Sequence, residues 1–172
     1  RQTRRMSSLI NDMLYLTRFE NKKDGYEMQT FNFSQCVSQI CEDMSLIESK
    51  NISLSYDVEK DIFVNGNHSL LERLILNLIS NAYKYGKENG KITVSLFRKD
   101  GKIHLSVADD GIGIAPEEKE KIFDRFYRSD QSRSESGTGL GLAIALEIAK
   151  LHGGNITLHS TPSVGSTFTL VL

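Results

Sequence analysis

Two segments of alternating apolar and polar residues, with Asp100 and Gly101 in the short stretch between them, constrain the fold of this chain most strongly. Residues 91–97 and 102–108 place apolar side chains at every second position, which is the period of a strand with one buried face. Aspartate followed by glycine between such segments is a strong signal for a two-residue hairpin turn. The sequence therefore predicts an antiparallel pair of strands here.

The segments on either side of this hairpin show the periods of helices and strands. Helices are predicted over residues 34–49, 68–85 and 139–151, with one or two helical turns at 117–123. Further strands are predicted at residues 52–56, 62–64, 156–159 and 167–171. Ser34 is the expected N-cap of the first helix, and Ser69 with Glu72 the expected capping box of the second. These elements predict an α+β fold, a two-layer α/β sandwich of a mixed sheet with about three helices on one face.

Composition sets the class of protein. The 172 residues are 39% hydrophobic and carry a net charge of −1, which suits one core with a small appendage and indicates neither nucleic acid nor an anionic membrane as partner. No apolar run is long enough to cross a membrane, so no membrane contact is expected of this chain. Cys36 and Cys41 lack the spacing and neighbours of a zinc site, and are expected to be apolar fillers on one helix in a reducing cytoplasm. The first residue, Arg1, suggests a fragment of something longer.

Residues 1–20 predict an amphipathic N-terminal helix in addition to the sandwich. Its apolar stripe comprises Met6, Leu9, Met13 and Leu16, widened by Ile10 and Leu14. Arg4, Arg5, Asp12 and Arg18 are expected outside that stripe. Such a helix needs a partner surface, either its own domain or the bundle of a dimer interface.

Two asparagines lie one turn apart on the long helix predicted at 68–85. Asn77 and Asn81 share one face, which Lys84 and Tyr85 continue. The opposite, core-facing stripe comprises Leu71, Leu74, Ile75, Leu78 and Ala82. Asparagine is unfavourable inside a helix, so the pair calls for an explanation. Solvated surface residues are the simpler one, and an amide oxygen ligating Mg²⁺, which prefers hard oxygen ligands, is the functional one.

An aspartate at the end of the second hairpin strand also calls for an explanation. A buried carboxylate at Asp109 is unfavourable unless hydrogen-bond donors reach it. The simpler alternative is an Asx-turn leading into Gly111, which Asp110 fits well. The functional alternative is recognition of a hydrogen-bond donor on a ligand.

A glycine-rich segment at residues 137–142 resembles a phosphate loop, because glycines allow successive backbone N–H groups to face an anion at a helix start. No strand precedes it and no Lys-Ser or Lys-Thr follows, so neither a Rossmann nor a Walker motif is present. The polar stretch before it, residues 123–136, is expected to be either a plain surface loop or a lid over a ligand. Phe123 and Phe126 are expected to pin the base of that loop to the domain.

Four motifs occur in order: residues 77–82 (NLISNA), 109–114 (DDGIGI), 122–128 (IFDRFYR) and 137–142 (GTGLGL). Together they resemble the N, G1, F and G2 boxes of the ATP-binding domain of sensor histidine kinases. The resemblance implies the Bergerat ATP-binding fold and Mg-ATP as ligand, with Asn81 as the metal ligand. It implies that Asp109 accepts a hydrogen bond from the adenine 6-amino group, favouring ATP over GTP by about 1–3 kcal/mol, and that Arg128 stabilises γ-phosphate charge.

The expected ATP-binding residues are Asn77, Asn81, Lys84, Tyr85, Asp109, Gly111, Gly113, Ile114, Arg128, Thr138, Gly139, Leu140, Gly141, Leu142 and Thr167. Asn77 and Lys84 would lie near the phosphates, and Tyr85 would flank the adenine. Gly111 and Gly113 would let the backbone pass close to the base.

Residues 25–172 resemble the catalytic and ATP-binding domain, and residues 1–24 the second helix of the dimerisation and histidine-phosphotransfer hairpin. The first helix of that hairpin, with its acceptor histidine, is not in this sequence. None of His68, His104, His152 and His159 lies in an acceptor motif, so all four are expected to be structural or surface residues. No catalytic residue is expected, and the chain should not autophosphorylate alone.

The resemblance further implies partners for the full-length protein. The γ-phosphate would pass to a histidine and then to the receiver domain of a response regulator, in a homodimer formed through the dimerisation helices. That protein would be anchored in a bacterial cell membrane, with this part in the cytoplasm. The alternatives are another Bergerat-fold ATPase, an anti-sigma serine kinase, or a degenerate non-catalytic interaction module.

Overall fold

The computed structural model describes residues 10–17, 19, 25–128 and 137–172. Its helices are α1 (residues 10–17 and 19), α2 (Phe33–Ser45), α3 (His68–Tyr85) and α4 (Gly141–Leu151), with short 3-10 turns at Pro116–Glu118 and Lys121–Phe123. Its strands are β1 (Gln29–Asn32), β2 (Ser53–Val58), β3 (Phe63–Gly66), β4 (Lys91–Lys99), β5 (Lys102–Asp109), β6 (Asn155–Thr161) and β7 (Gly165–Val171). Within these residues, every helix is too short or too polar to cross a bilayer.

In the described part of the chain, the main sheet has five strands in the order β2-β4-β5-β7-β6. Strand β2 runs parallel to β4, and the other neighbours are antiparallel. Helices α2, α3 and α4 pack on one face, where Leu74, Ile75 and Leu78 of α3 are fully buried in the core. The predicted mixed sheet with three covering helices is confirmed. The hairpin turn is confirmed as well, because Asp100 and Gly101 have φ of 52° and 74°.

A separate two-stranded ribbon, β1 with β3, precedes and follows α2. Strand β1 was absent from the sequence prediction. Its four residues are exposed or half-buried and include three polar ones, so it carries no alternating pattern. Only its pairing with β3 makes it a strand.

The N-caps of two helices differ from the prediction. Asn32 caps α2 by accepting from the Gln35 N–H at 3.0 Å, while Ser34 is buried and donates to the Glu59 carbonyl at 2.6 Å. Asn67 caps α3 by accepting from the Leu70 N–H at 3.0 Å, so the expected capping box is wrong. In each helix the observed cap lies two residues before the predicted one, and tertiary contacts decide which of the two residues caps the helix.

His152 provides one of those contacts. Its Nε2 accepts from the Asn67 N–H at 3.0 Å, and its Nδ1 lies 2.7 Å from the Ile148 carbonyl of α4. This geometry requires the neutral tautomer that carries its proton on Nδ1. The end of α4 is thereby joined to the start of α3, in agreement with the structural role predicted for this histidine.

Replacing Asn67 by alanine is expected to destabilise the protein by about 1–2 kcal/mol, because the Leu70 N–H loses its cap. The matched control is Ser69→Ala, which removes an exposed side chain and should change stability by less than about 0.5 kcal/mol. Urea unfolding of both variants measures the difference. Equal losses would restore Ser69 as the cap.

Both cysteines are buried and free on α2, as predicted. Burial, aided by the charge of Glu72, raises the pKa of Cys36 to about 11, and burial with the charge of Glu42 raises that of Cys41 to about 12. Both thiols therefore stay protonated and unreactive at neutral pH. Ile47 falls within the helix predicted over residues 34–49, but it is 42% exposed because α2 ends at Ser45.

Helix α1 packs on its own domain through a face different from the predicted stripe. Leu16 is 4% exposed and belongs to the main core, whereas Ile10, Met13 and Leu14 are each about half exposed. The expected contributions of Met6 and Leu9 lie outside the described residues. Tyr15 and the predicted outlier Asp12 face the domain instead, because both contact α3.

Candidate functional site

A cavity opens where the second half of α3, the end of β5 and the start of α4 meet. Seven of the predicted site residues line it: Asn81, Tyr85, Asp109, Gly113, Ile114, Arg128 and Leu142. Six further lining residues were not predicted: Ile112, Glu118, Ile122, Tyr127, Ser166 and Phe168. The wall is mostly apolar with a few polar groups converging on it, the usual composition of a small-molecule site.

Asp109, at the end of β5, is one of two acidic residues in the cavity wall, the other being Glu118. The side chain is half-buried, and its Oδ1 accepts from the Gly111 N–H at 2.9 Å. Burial raises the pKa of this carboxyl, while hydrogen bonds from the Gly111 and Ser166 backbone oppose the rise. The Asx-turn that the sequence allowed is therefore made by Asp109, not by Asp110.

Asp110 points away to the loop before β4. Its Oδ1 accepts from the Lys91 N–H at 2.9 Å, and its Oδ2 lies 3.2 Å from the Lys87 ammonium. Two adjacent carboxylates thus have separate tasks, one facing the cavity and one holding a loop.

The glycines after Asp109 are required by close approaches between backbones. A Cβ on Gly113, whose φ is +70°, would lie 2.1 Å from the Thr161 carbonyl oxygen. A Cβ on Gly111 would lie 2.2 Å from the Tyr85 carbonyl oxygen, which accepts from the Ile112 N–H at 3.2 Å. Both glycines therefore allow the loop to pack against neighbouring backbone. The sequence predicted a close approach to a base at these glycines and did not predict these protein contacts.

Ser160 completes that attachment. Its Oγ accepts from the Ile114 N–H at 2.8 Å and donates to the Gly165 carbonyl at 3.0 Å. The loop that carries Ile114 into the cavity wall is therefore fixed to the β6–β7 hairpin.

The polar face of α3 divides between the cavity and its rim. Asn81 is half-buried in the wall, and its amide has no hydrogen-bond partner among the described residues. The Asn77 amide donates to the Gly141 carbonyl at 3.0 Å, which fixes the start of α4. Lys84 Nζ donates to the Tyr85 hydroxyl at 2.7 Å. Asn81 and Tyr85 thus face the cavity, while Asn77 and Lys84 hold protein groups at its edge.

The glycine-rich loop folds beside the cavity. Gly139 has a φ of +73°, and its carbonyl accepts from the Phe126 N–H at 3.0 Å. Leu140 is fully buried as a core residue. Some of the residues expected to contact the ligand do not line the cavity. In the glycine-rich loop they are Thr138, Gly139, Leu140 and Gly141, and in the loop after β5 the residue is Gly111.

The stem of the predicted lid is anchored by one of its two phenylalanines. Phe123 packs edge-on against Phe168 with ring centroids 6.3 Å apart, as expected. Phe126 is 54% exposed and has a φ of +63°, so the expectation that its ring anchors the stem is wrong. Tyr127 adds a contact that was not predicted, donating to Glu118 at 3.0 Å. Residues 129–136 of the predicted lid lie outside the described residues.

Thr167 does not line the cavity, and its neighbour Ser166 does. Side chains alternate between the two faces of a strand, and in β7 the buried positions are Ser166, Phe168 and Leu170. Thr167 therefore points to the opposite face of the sheet. The same alternation, applied to the sequence, would have selected Ser166.

The sequence also matches a model of known families over residues 66–172, described as "Histidine kinase-, DNA gyrase B-, and HSP90-like ATPase". The chain belongs to this family. The sensor histidine kinase RppB of Synechocystis sp. is 40% identical over 100% of this chain and 39% of its own length. The chain spans less than half the length of the curated sensor kinases it matches.

Solved structures of histidine kinases share the fold. The mycobacterial sensor histidine kinase MprB is 28% identical with a TM-score of 0.75, covering 85% of this chain and 97% of that one. Full-length ShkA, solved in complex with AMPPNP, is 26% identical with a TM-score of 0.82, covering 95% of this chain and 35% of that one. The family is therefore that of the predicted resemblance, and the catalytic domains of histidine kinases have this architecture.

Proposed function

We propose that this chain is the Mg-ATP-binding unit of a two-component sensor histidine kinase, which positions ATP for transfer of its γ-phosphate to a histidine. The observation that carries the proposal is the cavity itself. A half-buried carboxylate, Asp109, stands beside apolar walls, and the same cavity contains the amide of Asn81, which has no hydrogen-bond partner among the described residues, and the guanidinium of Arg128. A flat base with one donor edge and a charged tail fits that distribution of groups.

Each group has a defined task in this proposal. Asp109 accepts from the adenine 6-amino group, since its carboxylate is the cavity's acidic acceptor at the end of β5. Ile114 and Phe168 contact the base, and Ser166 supplies a hydroxyl beside Asp109. Arg128 neutralises phosphate charge, the main protein contribution to phosphoryl transfer. The proposal also keeps the ATP-binding role predicted for the residues of the glycine-rich loop, Thr138, Gly139, Leu140, Gly141 and Leu142.

Magnesium fits the donors present. A single neutral amide oxygen, that of Asn81, together with phosphate oxygens and water suits this hard cation. No cluster of three or more acidic, histidine or cysteine side chains occurs in the described part of the chain, so in this proposal phosphate oxygens and water supply the remaining ligands. The ion would supply neutralisation of phosphate charge.

The whole protein is proposed to follow its curated relatives. Residues 1–24 would be the second helix of a dimerisation and phosphotransfer hairpin, and residues 25–172 the ATP-binding domain. The phosphate would pass to a histidine of that hairpin and then to a response-regulator receiver domain, in a homodimer at the cytoplasmic side of a bacterial membrane. The similarity to RppB along the full chain supports this arrangement.

Calorimetric titration with ATP tests the proposal. Binding in the micromolar range, about −8 kcal/mol, is expected with Mg²⁺ and weaker binding without it. Asn81→Ala should weaken the Mg²⁺-dependent part about tenfold or more, because the metal loses its protein ligand. The control is Asn65→Ala on the exposed side of β3, which should bind like the unmutated chain.

Two outcomes would contradict the proposal. Equal weakening of Asn81→Ala with and without Mg²⁺ would remove the metal-ligand role. Absence of ATP binding by the folded, unmutated chain would favour the non-catalytic interaction module instead.

A further inference from the structure

Helix α1 is attached to the ATP-binding unit by a small polar cluster. Asp12 forms an ion pair with Arg73 of α3 and accepts from the Thr138 hydroxyl at 3.0 Å. The Arg73 guanidinium also lies 3.8 Å above the ring of Tyr15. Only 14% of the Asp12 side chain is exposed, so the carboxylate is enclosed between α1, α3 and the glycine-rich loop.

This cluster uses groups of the proposed phosphate site. Arg73, Asn77 and Asn81 follow at intervals of four residues and therefore share one face of α3. Thr138 belongs to the glycine-rich loop, where its oxygen also accepts from the Leu140 N–H at 3.3 Å. A hydroxyl has one proton to donate. While α1 is docked, the proton of Thr138 points to Asp12 and the Leu140 N–H points to Thr138.

The charge of Asp12 acts in the same direction. Arg73 pairs with the Oδ1 of this carboxylate, whereas its Oδ2 faces Thr138 of the glycine-rich loop. An enclosed carboxylate is poorly screened by water, so this second oxygen would repel a triphosphate placed at the adjoining loop. Phosphate oxygens and the Asp12 carboxylate also require the same donor, the Thr138 hydroxyl. The two anions therefore compete for one place.

Two features make the docked position of α1 only weakly stable, so that ATP phosphates could displace it. The Nε of Arg73 is buried without a hydrogen-bond partner among the described residues, and an unsatisfied buried donor opposes the state that contains it. Few apolar residues of α1 compensate, since Leu16 is its single fully enclosed one among those described.

We propose that docking of α1 and binding of the ATP phosphates are mutually antagonistic, with Asp12 as an internal competitor at the glycine-rich loop. The proposal rests on the proposed nucleotide function of the site. Coupling of two binding events is reciprocal, so ATP loosens α1 by the same factor by which docked α1 weakens ATP. Movement of the N-terminal helix would then report directly on occupancy of the phosphate site.

Titration of the full chain with ATP and with adenosine tests the coupling. Asp12→Asn is expected to tighten ATP binding about fivefold or more and to leave adenosine binding unchanged within twofold, because only the phosphates meet Asp12. The matched control is Asp57→Asn, an equal charge change at an exposed position of β2, which should alter neither ligand. Amide hydrogen exchange in residues 10–17 of the unmutated chain should accelerate when AMPPNP is added.

The outcomes separate this proposal from the one on which it rests. Unchanged or weaker ATP binding by Asp12→Asn, with adenosine still bound, overturns the antagonism and leaves the nucleotide function standing. Equal tightening by Asp57→Asn overturns it too, because the effect would be one of net charge. Failure of every protein to bind either ligand overturns the nucleotide function and the antagonism with it.

Discussion

Replacing Asp109 by asparagine should weaken ATP binding by about 10- to 150-fold, while the fold persists. A hydrogen bond to a charged acceptor contributes about 1.5–3 kcal/mol, and each 1.4 kcal/mol is about tenfold in affinity. The Gly111 N–H fixes the carbonyl oxygen of the new amide, as it now fixes Oδ1 at 2.9 Å. The NH₂ group of the asparagine then faces the adenine 6-amino group, donor against donor.

The stability of the same variant follows from the pKa of the carboxyl. Burial raises the pKa of Asp109, so the folded chain takes up this proton more readily than the unfolded chain. The ionised carboxylate therefore opposes folding at neutral pH, and that opposition is relieved as the pH falls through the raised pKa. A neutral amide removes it, which offsets the weakened hydrogen bonds, and we expect a change in unfolding free energy of less than about 1 kcal/mol.

As the pH falls, protonation of Asp109 should favour the folded state but weaken ATP binding, so affinity and stability should change in opposite directions. Protonation of Asp109 removes the charged acceptor, so ATP binding by the unmutated chain should weaken on acidification at a higher pH than an ordinary aspartate would produce. Titrations across the acidic range, with thermal unfolding at each pH, measure both quantities. The matched control is Asp110→Asn, which removes the adjacent carboxylate that holds Lys87 and the Lys91 N–H and should bind ATP within about twofold of normal. Comparable losses in the two variants would show that Asp109 does not contact the base.

The sequence predicted those parts of the fold whose signals are local and periodic. Helix α3 has an unbroken apolar stripe, and the β4–β5 hairpin combines alternation with a turn of two residues. Strand β1 and the N-caps could not be predicted in the same way. Asn67 and Ser69 are both acceptable caps, and the choice depends on His152, which lies 85 residues away in the chain.

In the candidate site, too, residues with a local sequence signal could be predicted and residues without one could not. Asn81, Tyr85 and Asp109 line one cavity, and the sequence could group them because each stands in a short motif near the end of a regular element. Glu118 and Tyr127 were missed because their hydrogen bond joins two irregular turns, where no period exists to be read. Thr167 lies off the cavity wall, one residue from Ser166, which lines it, and the alternation of β7 places the two side chains on opposite faces of the sheet.

Replacing Gly113 by alanine should destabilise the protein by at least about 2 kcal/mol more than the same change at Gly101. Both glycines have similar positive φ values, +70° and +74°, so alanine at either position carries the same left-handed backbone penalty of about 1–2 kcal/mol. No atom of the described residues lies within 4 Å of a Cβ at Gly101, whereas a Cβ at Gly113 would lie 2.1 Å from the Thr161 carbonyl oxygen. The difference between the variants therefore isolates the clash.

That clash is between two backbones and cannot be relieved by a rotamer change. The loop after β5 must move away from the β6–β7 hairpin, which breaks the 2.8 Å hydrogen bond from the Ile114 N–H to Ser160 and leaves groups of the hairpin unpaired, at about 1–3 kcal/mol. Since Gly113 and Ile114 both line the cavity, ATP affinity should fall about tenfold or more in Gly113→Ala and stay normal in Gly101→Ala. Urea unfolding and calorimetric titration of the two variants measure both effects. Equal stability losses would mean that the loop relaxes without strain, and normal ATP binding by a destabilised Gly113→Ala would mean that the loop does not shape the nucleotide site.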